Sequence, residues 1–288
     1  MVDADSKVIV QGITGTQGSF HSKLMQEYGT KIVAGTSPDK GGTLINNISV
    51  YDTLREAKER HVMDTSIIFV PALFAAEAAY EAIENKIKTI VIITEHIPIK
   101  DTIMLLSHAK RANITIVGPN TPGVISPGKC LLGIMPSHIF RKGNIGLVSR
   151  SGTLTYEIAA ALTRENIGQS TCVGIGGDPV TGLNFIDILK RFKDDPQTQV
   201  VVMIGEIGGN IEELTARYII EEKYPKPVVA YIAGRTAPTG KRMGHAGAII
   251  MGKTGTAASK IAALEAAGVK IAQKPNDIPK LVAQVLSQ

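Results

Sequence analysis

Short runs of β-branched and apolar residues recur along this chain, each followed by an amphipathic stretch. In the first half the runs cover residues 7–11, 31–34, 66–70, 89–94 and 114–117. Each is apolar on both faces, as strands covered by helices on both sides are. Helical patterns fill the gaps at 19–28, 73–85 and 100–112. Residues 119–128 are rich in Pro and Gly and read as a linker. The rhythm then restarts, with strands expected at 145–149, 171–175, 200–204, 228–232 and 269–272. Helices are expected at 153–166, 185–193, 211–222, 257–267 and 278–286. Such alternation predicts an α/β fold with parallel, doubly wound sheets. At 288 residues the chain is long enough for two cores, and the expected domains are 1–121 and 122–288. Glycine is abundant (29) and aromatics are scarce (5%, no Trp), which suits close-packed βα units with tight turns.

Several function classes are disfavoured. The net charge is +5, but no Lys/Arg run with interleaved aromatics suggests nucleic acid. Cys130 and Cys172 give neither a disulfide framework nor a metal-ligand spacing, so no metal is expected on this chain. No apolar run is long enough to span a bilayer, and nothing resembles a signal peptide. A cytoplasmic location is expected, or the mitochondrial matrix if a transit peptide has been removed.

Chemistry concentrates where the expected strands end, the edge at which open α/β sheets bind ligands. The first strand runs into Gly12-Ile13-Thr14-Gly15-Thr16-Gln17-Gly18 and then a helix. Its spacing, Gly-x-x-Gly-x-x-Gly, differs from the dinucleotide pattern, yet it offers a helix N-terminus to an anion. Lys40, in Ser37-Pro38-Asp39-Lys40-Gly41-Gly42, adds a cation suited to a phosphate. In the second half a strand runs into Arg150-Ser151-Gly152-Thr153-Leu154-Thr155-Tyr156-Glu157. Small hydroxyl residues at a helix start suit phosphate, or simple capping of the helix. Two further loops contribute Glu206, in Gly205-Glu206-Ile207-Gly208-Gly209, and His245, in Gly244-His245-Ala246-Gly247-Ala248. A histidine held by a carboxylate and open to phosphate can serve as nucleophile or base.

Residues 247–254 also fit the Walker A pattern, with Lys253 and Thr254 at its end. A P-loop follows a buried strand, whereas here Lys241-Arg242-Met243-Gly244-His245 precedes it. The spacer Ala248-Ile249-Ile250-Met251 is also apolar. This match is therefore read as a decoy.

Taken together and in order, the motifs at 12–21, 149–157, 174–179, 204–209 and 244–249 resemble those of the α subunits of succinyl-CoA synthetase (succinate–CoA ligase). The resemblance covers essentially the whole chain. It implies an N-terminal Rossmann-like CoA-binding domain and a C-terminal flavodoxin-like ligase domain. It also implies a β subunit with an ATP-grasp site for ATP or GTP and Mg2+, in an αβ or α2β2 assembly. The implied reaction interconverts succinyl-CoA, phosphate and NDP with succinate, CoA and NTP, a citric acid cycle step.

By position, the resemblance makes His245 the residue that is phosphorylated and Glu206 its orienting carboxylate. Ser151, Gly152 and Thr153 become the cradle of the phosphoryl group. Thr14, Gly15, Thr16, Gln17, Lys40, Ile93, Thr94 and Glu95 become CoA contacts, and Tyr156 a substrate-site position shared with the β subunit. Three positions depart from the usual family residues: Thr121 for Cys, His96 for Gly and Leu73 for Pro. Alternatives are a malate–CoA ligase α subunit, a CoA-binding module without catalysis, and a P-loop hydrolase acting without a partner.

Overall fold

The computed structural model describes residues 2–238, 240–250 and 255–287. The chain divides into two compact units. The first runs to Ile125 and includes Lys129–Met135 and Val180–Gly182; the second holds Ser126–Gly128, Pro136–Pro179 and Leu183 onward.

In the first unit the strands are β1 (Lys7–Gln11), β2 (Lys31–Thr36), β3 (Leu44–Ile45), β4 (Ile48–Tyr51), β5 (Thr65–Ile68), β6 (Thr89–Ile92) and β7 (Thr115–Val117). The helices are α1 (Thr16–Glu27), α2 (Leu54–Arg60), α3 (Ala72–Glu84) and α4 (Ile99–Arg111). The sheet order is β3-β4-β2-β1-β5-β6-β7, parallel except for the β3–β4 pair. Strand order reverses between β1 and β5, and such a reversal opens a crevice at the strands' carboxyl ends. Ile9, Ile68, Ile90 and Ile92 are fully buried in one apolar cluster with Leu54, Leu105 and Ile83. Burying each such side chain contributes about 1.5–3 kcal/mol. Helix α1 starts hard against the end of β1. A Cβ on Gly18 would stand 2.1 Å from the Gly12 carbonyl oxygen, so only glycine fits there.

The stretch 119–128, expected as a linker, is instead buried structure. It contains β8 (Gly123–Ser126), followed by β9 (Cys130–Gly133). Its glycines serve a tight hairpin rather than a solvated tether. The Thr30 hydroxyl donates to the Leu131 carbonyl at 2.7 Å, tying β9 to the end of α1. The β3–β4 hairpin and α2 also lie outside the expected elements, because two-residue and four-residue strands leave almost no periodicity.

In the second unit the strands are β10 (Lys142–Ser149), β11 (Gln169–Gly174), β12 (Val200–Glu206), β13 (Val228–Ala233) and β14 (Lys270–Ile271). They run parallel in the order β14-β13-β12-β10-β11. The helices are α5 (Gly152–Arg164), α6 (Phe185–Asp194), α7 (Ile211–Glu221), α8 (Ala257–Ala266) and α9 (Ile278–Leu286). Helix α6 buries Phe185, Ile188, Leu189 and Phe192, spaced as one helical face, and begins with an Asn184–Asp187 capping box. Here the order reverses between β10 and β12. Their paired ends, Ser149 with Ile204, place the Arg150 and Glu206 segments side by side.

Candidate active site

Two loop clusters stand at these two switch points. In the first unit, the turn after β1 presents Thr14, Gly15, Thr16 and Gln17. The Thr14 hydroxyl donates to Ser37 Oγ at 2.8 Å, and the next three residues are exposed. Gly15 is the N-cap of α1, with no side chain capping the helix and no acidic residue in its first turn. The first N–H groups of the helix therefore face outward with the positive end of its dipole. Lys40 is exposed on the loop after β2. Asp52 Oδ1 shapes that loop, accepting from the backbone N–H groups of Lys40 at 2.9 Å and Gly41 at 2.8 Å. After β6, Ile93 N–H donates to Ile68 O at 3.2 Å and the Thr94 hydroxyl donates to Val70 O at 2.6 Å. Glu95 follows, exposed, with His96 at a φ of 64°. Left-handed backbone of that kind is where glycine is favoured. All the expected CoA contacts thus lie beyond the carboxyl ends of strands of one sheet, in loops and in the first turn of α1.

In the second unit, Glu206 is the last residue of β12 and is only 6% exposed. Its Oε2 lies 2.8 Å from His245 Nδ1. Its Oε1 is buried without a hydrogen bond, and Arg150 Nη2 stands 3.4 Å away as an ion pair. His245 reaches this carboxylate from the segment after β13. The backbone of Gly177 lies beneath its imidazole, and the side chain keeps 29% of its surface exposed. The ring is thus less open than its glycine neighbours suggested, with the Gly177 backbone against it. The hydrogen bond from Glu206 raises the His245 pKa above the usual histidine value, against the opposing pull of burial. Asp178 pushes the same way and Arg150 the other.

Helix α5 begins directly after Arg150. Ser151 is its N-cap and its hydroxyl accepts from Leu154 N–H at 3.4 Å, so the capping role is real. The N–H groups of Gly152 and Thr153 still have no acceptor within the helix. Ser151 is buried, Thr153 is exposed, and the two hydroxyls are 3.3 Å apart. Tyr156 lies one turn on, part-buried, with burial raising its phenol pKa. Of the Walker A match, residues 247–250 lie in irregular backbone with a single bridge from Arg242 to Ile249. Lys253 and Thr254 lie outside the described residues.

The sequence reading gave Arg150 and Gly177 no role of their own, and it missed Glu212 and Lys260. Arg150 and Lys260 look like surface cations in sequence, yet Lys260 is 0% exposed. No local pattern marks a lysine as buried when its partner is 48 residues away.

Residues 3–96 match the CoA binding domain family and residues 148–270 the CoA-ligase family. The chain is 59% identical to the succinate–CoA ligase [ADP-forming] subunit alpha of Methanothermobacter thermautotrophicus, over 96% of this chain and 94% of that one. The chain belongs to the succinate–CoA ligase α-subunit family. A second relative, subunit alpha 2 from Archaeoglobus fulgidus, is 56% identical over 99% of both chains. Among solved structures, the ATP citrate lyase of Methanothrix soehngenii, in complex with citrate and coenzyme A, superposes with a TM-score of 0.91 at 25% identity. That similarity covers 100% of this chain, which spans 50% of the lyase chain. As an α-subunit family member, the chain is a CoA ligase component with a Rossmann-like CoA-binding domain followed by a ligase domain. Thr121 is buried and its hydroxyl accepts from Gly123 N–H at 2.9 Å, so it fills a structural place. Leu73, by contrast, is 84% exposed at the start of α3.

Proposed function

We propose that this chain is the α subunit of a succinate–CoA ligase, in which His245 carries a phosphoryl group between an acyl phosphate and a nucleoside diphosphate. The observation that carries this reading is the 2.8 Å contact of His245 Nδ1 with Glu206 Oε2. A neutral imidazole that donates its Nδ1 proton to that carboxylate keeps its lone pair on Nε2, the atom then free to attack phosphorus. Phosphate first attacks the thioester carbonyl, giving an acyl phosphate and releasing the CoA thiol. Nε2 then takes the phosphoryl group from the acyl phosphate, and the free carboxylate of succinate leaves. Transfer from the phosphohistidine to the nucleoside diphosphate restores the imidazole. The α5 start, with the N–H groups of Gly152 and Thr153 and the Ser151 hydroxyl, is suited to hold the phosphoryl oxygens. Tyr156 is assigned to the acid-binding side.

The Thr14–Gln17 turn fits the phosphates of CoA, because its helix start is uncapped and carries no acidic residue. Lys40 supplies a charge to the same anion, and Ile93, Thr94 and Glu95 line the next loop. ATP or GTP, with Mg2+, is assigned to a β subunit, in an αβ or α2β2 assembly working in the cytoplasm. Mixing the purified chain with that subunit and γ-labelled ATP tests the reading. A label on His245 that is acid-labile and base-stable, and is lost in His245→Asn, is the expected result. An undiminished label in the variant would overturn it. Turnover across a panel of dicarboxylic acids decides between succinate and malate.

A further inference from the structure

Behind Glu206 the second unit holds a run of charges that the proposed reaction does not use. Arg150 Nη1 lies 3.1 Å from Glu212 Oε1 and 3.2 Å from the Gly208 carbonyl. Glu212 Oε1 also accepts the Glu206 backbone N–H at 3.1 Å, so one carboxylate fixes both the main chain of Glu206 and the arginine that faces its side chain. Glu212 Oε2 accepts from Lys260 Nζ, which further donates to Glu213 Oε2 at 3.1 Å and to Gly209 O at 3.0 Å. The Glu212 and Lys260 side chains are both 0% exposed. Charges thus alternate in sign from Lys260 through Glu212 and Arg150 to Glu206 and His245.

Isolated charges this deep are costly, and a buried ion pair adds little stability over apolar residues of similar size. A chain of four buried charges that ends on an imidazole therefore points to a role beyond stability. We infer that Glu212 and Lys260 are positioning residues, acting through Arg150 to hold Glu206 in place and to set the electrostatic balance at His245. The inference rests on the reading of His245 as phosphoryl carrier for its purpose, although not for its test. The groups facing His245 are Glu206, Arg150 and Asp178. Those facing Glu206 are Arg150 and His245, and those facing Lys260 are Glu212 and Glu213.

The sign of the effect separates a charge chain from mere packing. Lys260→Met removes a cation, so the protonated imidazole becomes more favourable and its titration moves to higher pH. Glu212→Gln removes an anion and leaves Arg150 to Glu206 alone, so the titration moves to lower pH. Each shift should be on the order of half a unit. The double variant should lie near the wild type. NMR titration of the His245 ring in the full chain reads all three, without needing phosphoryl transfer. With the β subunit present, the pH dependence of His245 labelling should shift in the same two directions. Opposite shifts support the inference; shifts of one sign, or none, overturn it. Should Lys260→Met fail to fold, Glu212→Gln alone decides: an acid shift supports the chain, while no shift or an alkaline one sinks it. A wild type that titrates as described but takes no label would defeat the proposed function and leave the charge chain standing.

Discussion

A Cβ on Gly177 would stand 2.5 Å from His245 Cγ, so the imidazole rests directly on the peptide backbone. Gly177→Ala must therefore push the ring away and lengthen its 2.8 Å contact with Glu206. Misplacing a reacting group by an ångström can cost about a hundredfold in rate. Labelling of His245 in the αβ complex should fall by roughly that factor, with CoA affinity of the chain unchanged. Equal labelling rates in the alanine variant would mean that the ring's seat is irrelevant.

The Glu206 hydrogen bond raises the His245 pKa above its ordinary 6.5. Since only the neutral ring attacks phosphorus, the labelling rate should rise with pH through that elevated value. In Glu206→Gln the inflection should move back down, while the plateau drops on the order of a hundredfold because the ring loses its charged orienting acceptor. The same pair contributes to folding stability. That contribution is complete below about pH 6.5, the value in the unfolded chain, and disappears as pH rises through the higher folded value. Thermal melts of wild type and Glu206→Gln should therefore differ most on the acid side of neutrality and less above it, where only the Arg150–Glu206 pair still separates them.

Lys40→Ala should weaken CoA binding by about threefold to tenfold, the usual worth of an exposed charge-assisted contact. Calorimetry measures this directly, and phosphorylation of His245 should be spared. Unchanged CoA affinity, or tight NAD binding by the wild type, would remove the first-unit loops from the CoA site.

Gly18→Ala should destabilise the first unit by about 2–4 kcal/mol, because its Cβ would meet the Gly12 carbonyl at 2.1 Å with no flexible side chain to yield. Chemical denaturation followed by circular dichroism checks the magnitude. A variant as stable as the wild type would show that the turn relaxes freely.

The isolated chain should bind CoA yet neither hydrolyse nor ligate with ATP or GTP until a β subunit is added. Unaided turnover that stops in Lys253→Ala would restore the Walker A reading.

The βα rhythm made most of the fold legible, since long buried strands such as Val200–Glu206 carry continuous apolar runs. Hairpins of very short strands did not show, and Gly123 was read as tether when it serves a close backbone approach. In the site, His245 and Glu206 were legible because each stands among glycines. Their pairing across 39 residues has no local signal and was legible only through the family resemblance, which made Glu206 the carboxylate that orients His245. Arg150 and Lys260 escaped because a cation's burial depends on partners that only the folded sheet brings together.

Gly177 and Gly18 carry no functional group, yet each occupies a place that no other amino acid fits. In a saturation-mutagenesis map of this chain, the deepest intolerance should therefore fall on residues with nothing to donate, accept or transfer. Positions such as Thr153 and Lys40, which do offer chemistry, should show graded tolerance. Ranking sites by mutational sensitivity alone would then trace the backbone mould of each loop cluster more sharply than the groups proposed to hold its ligand.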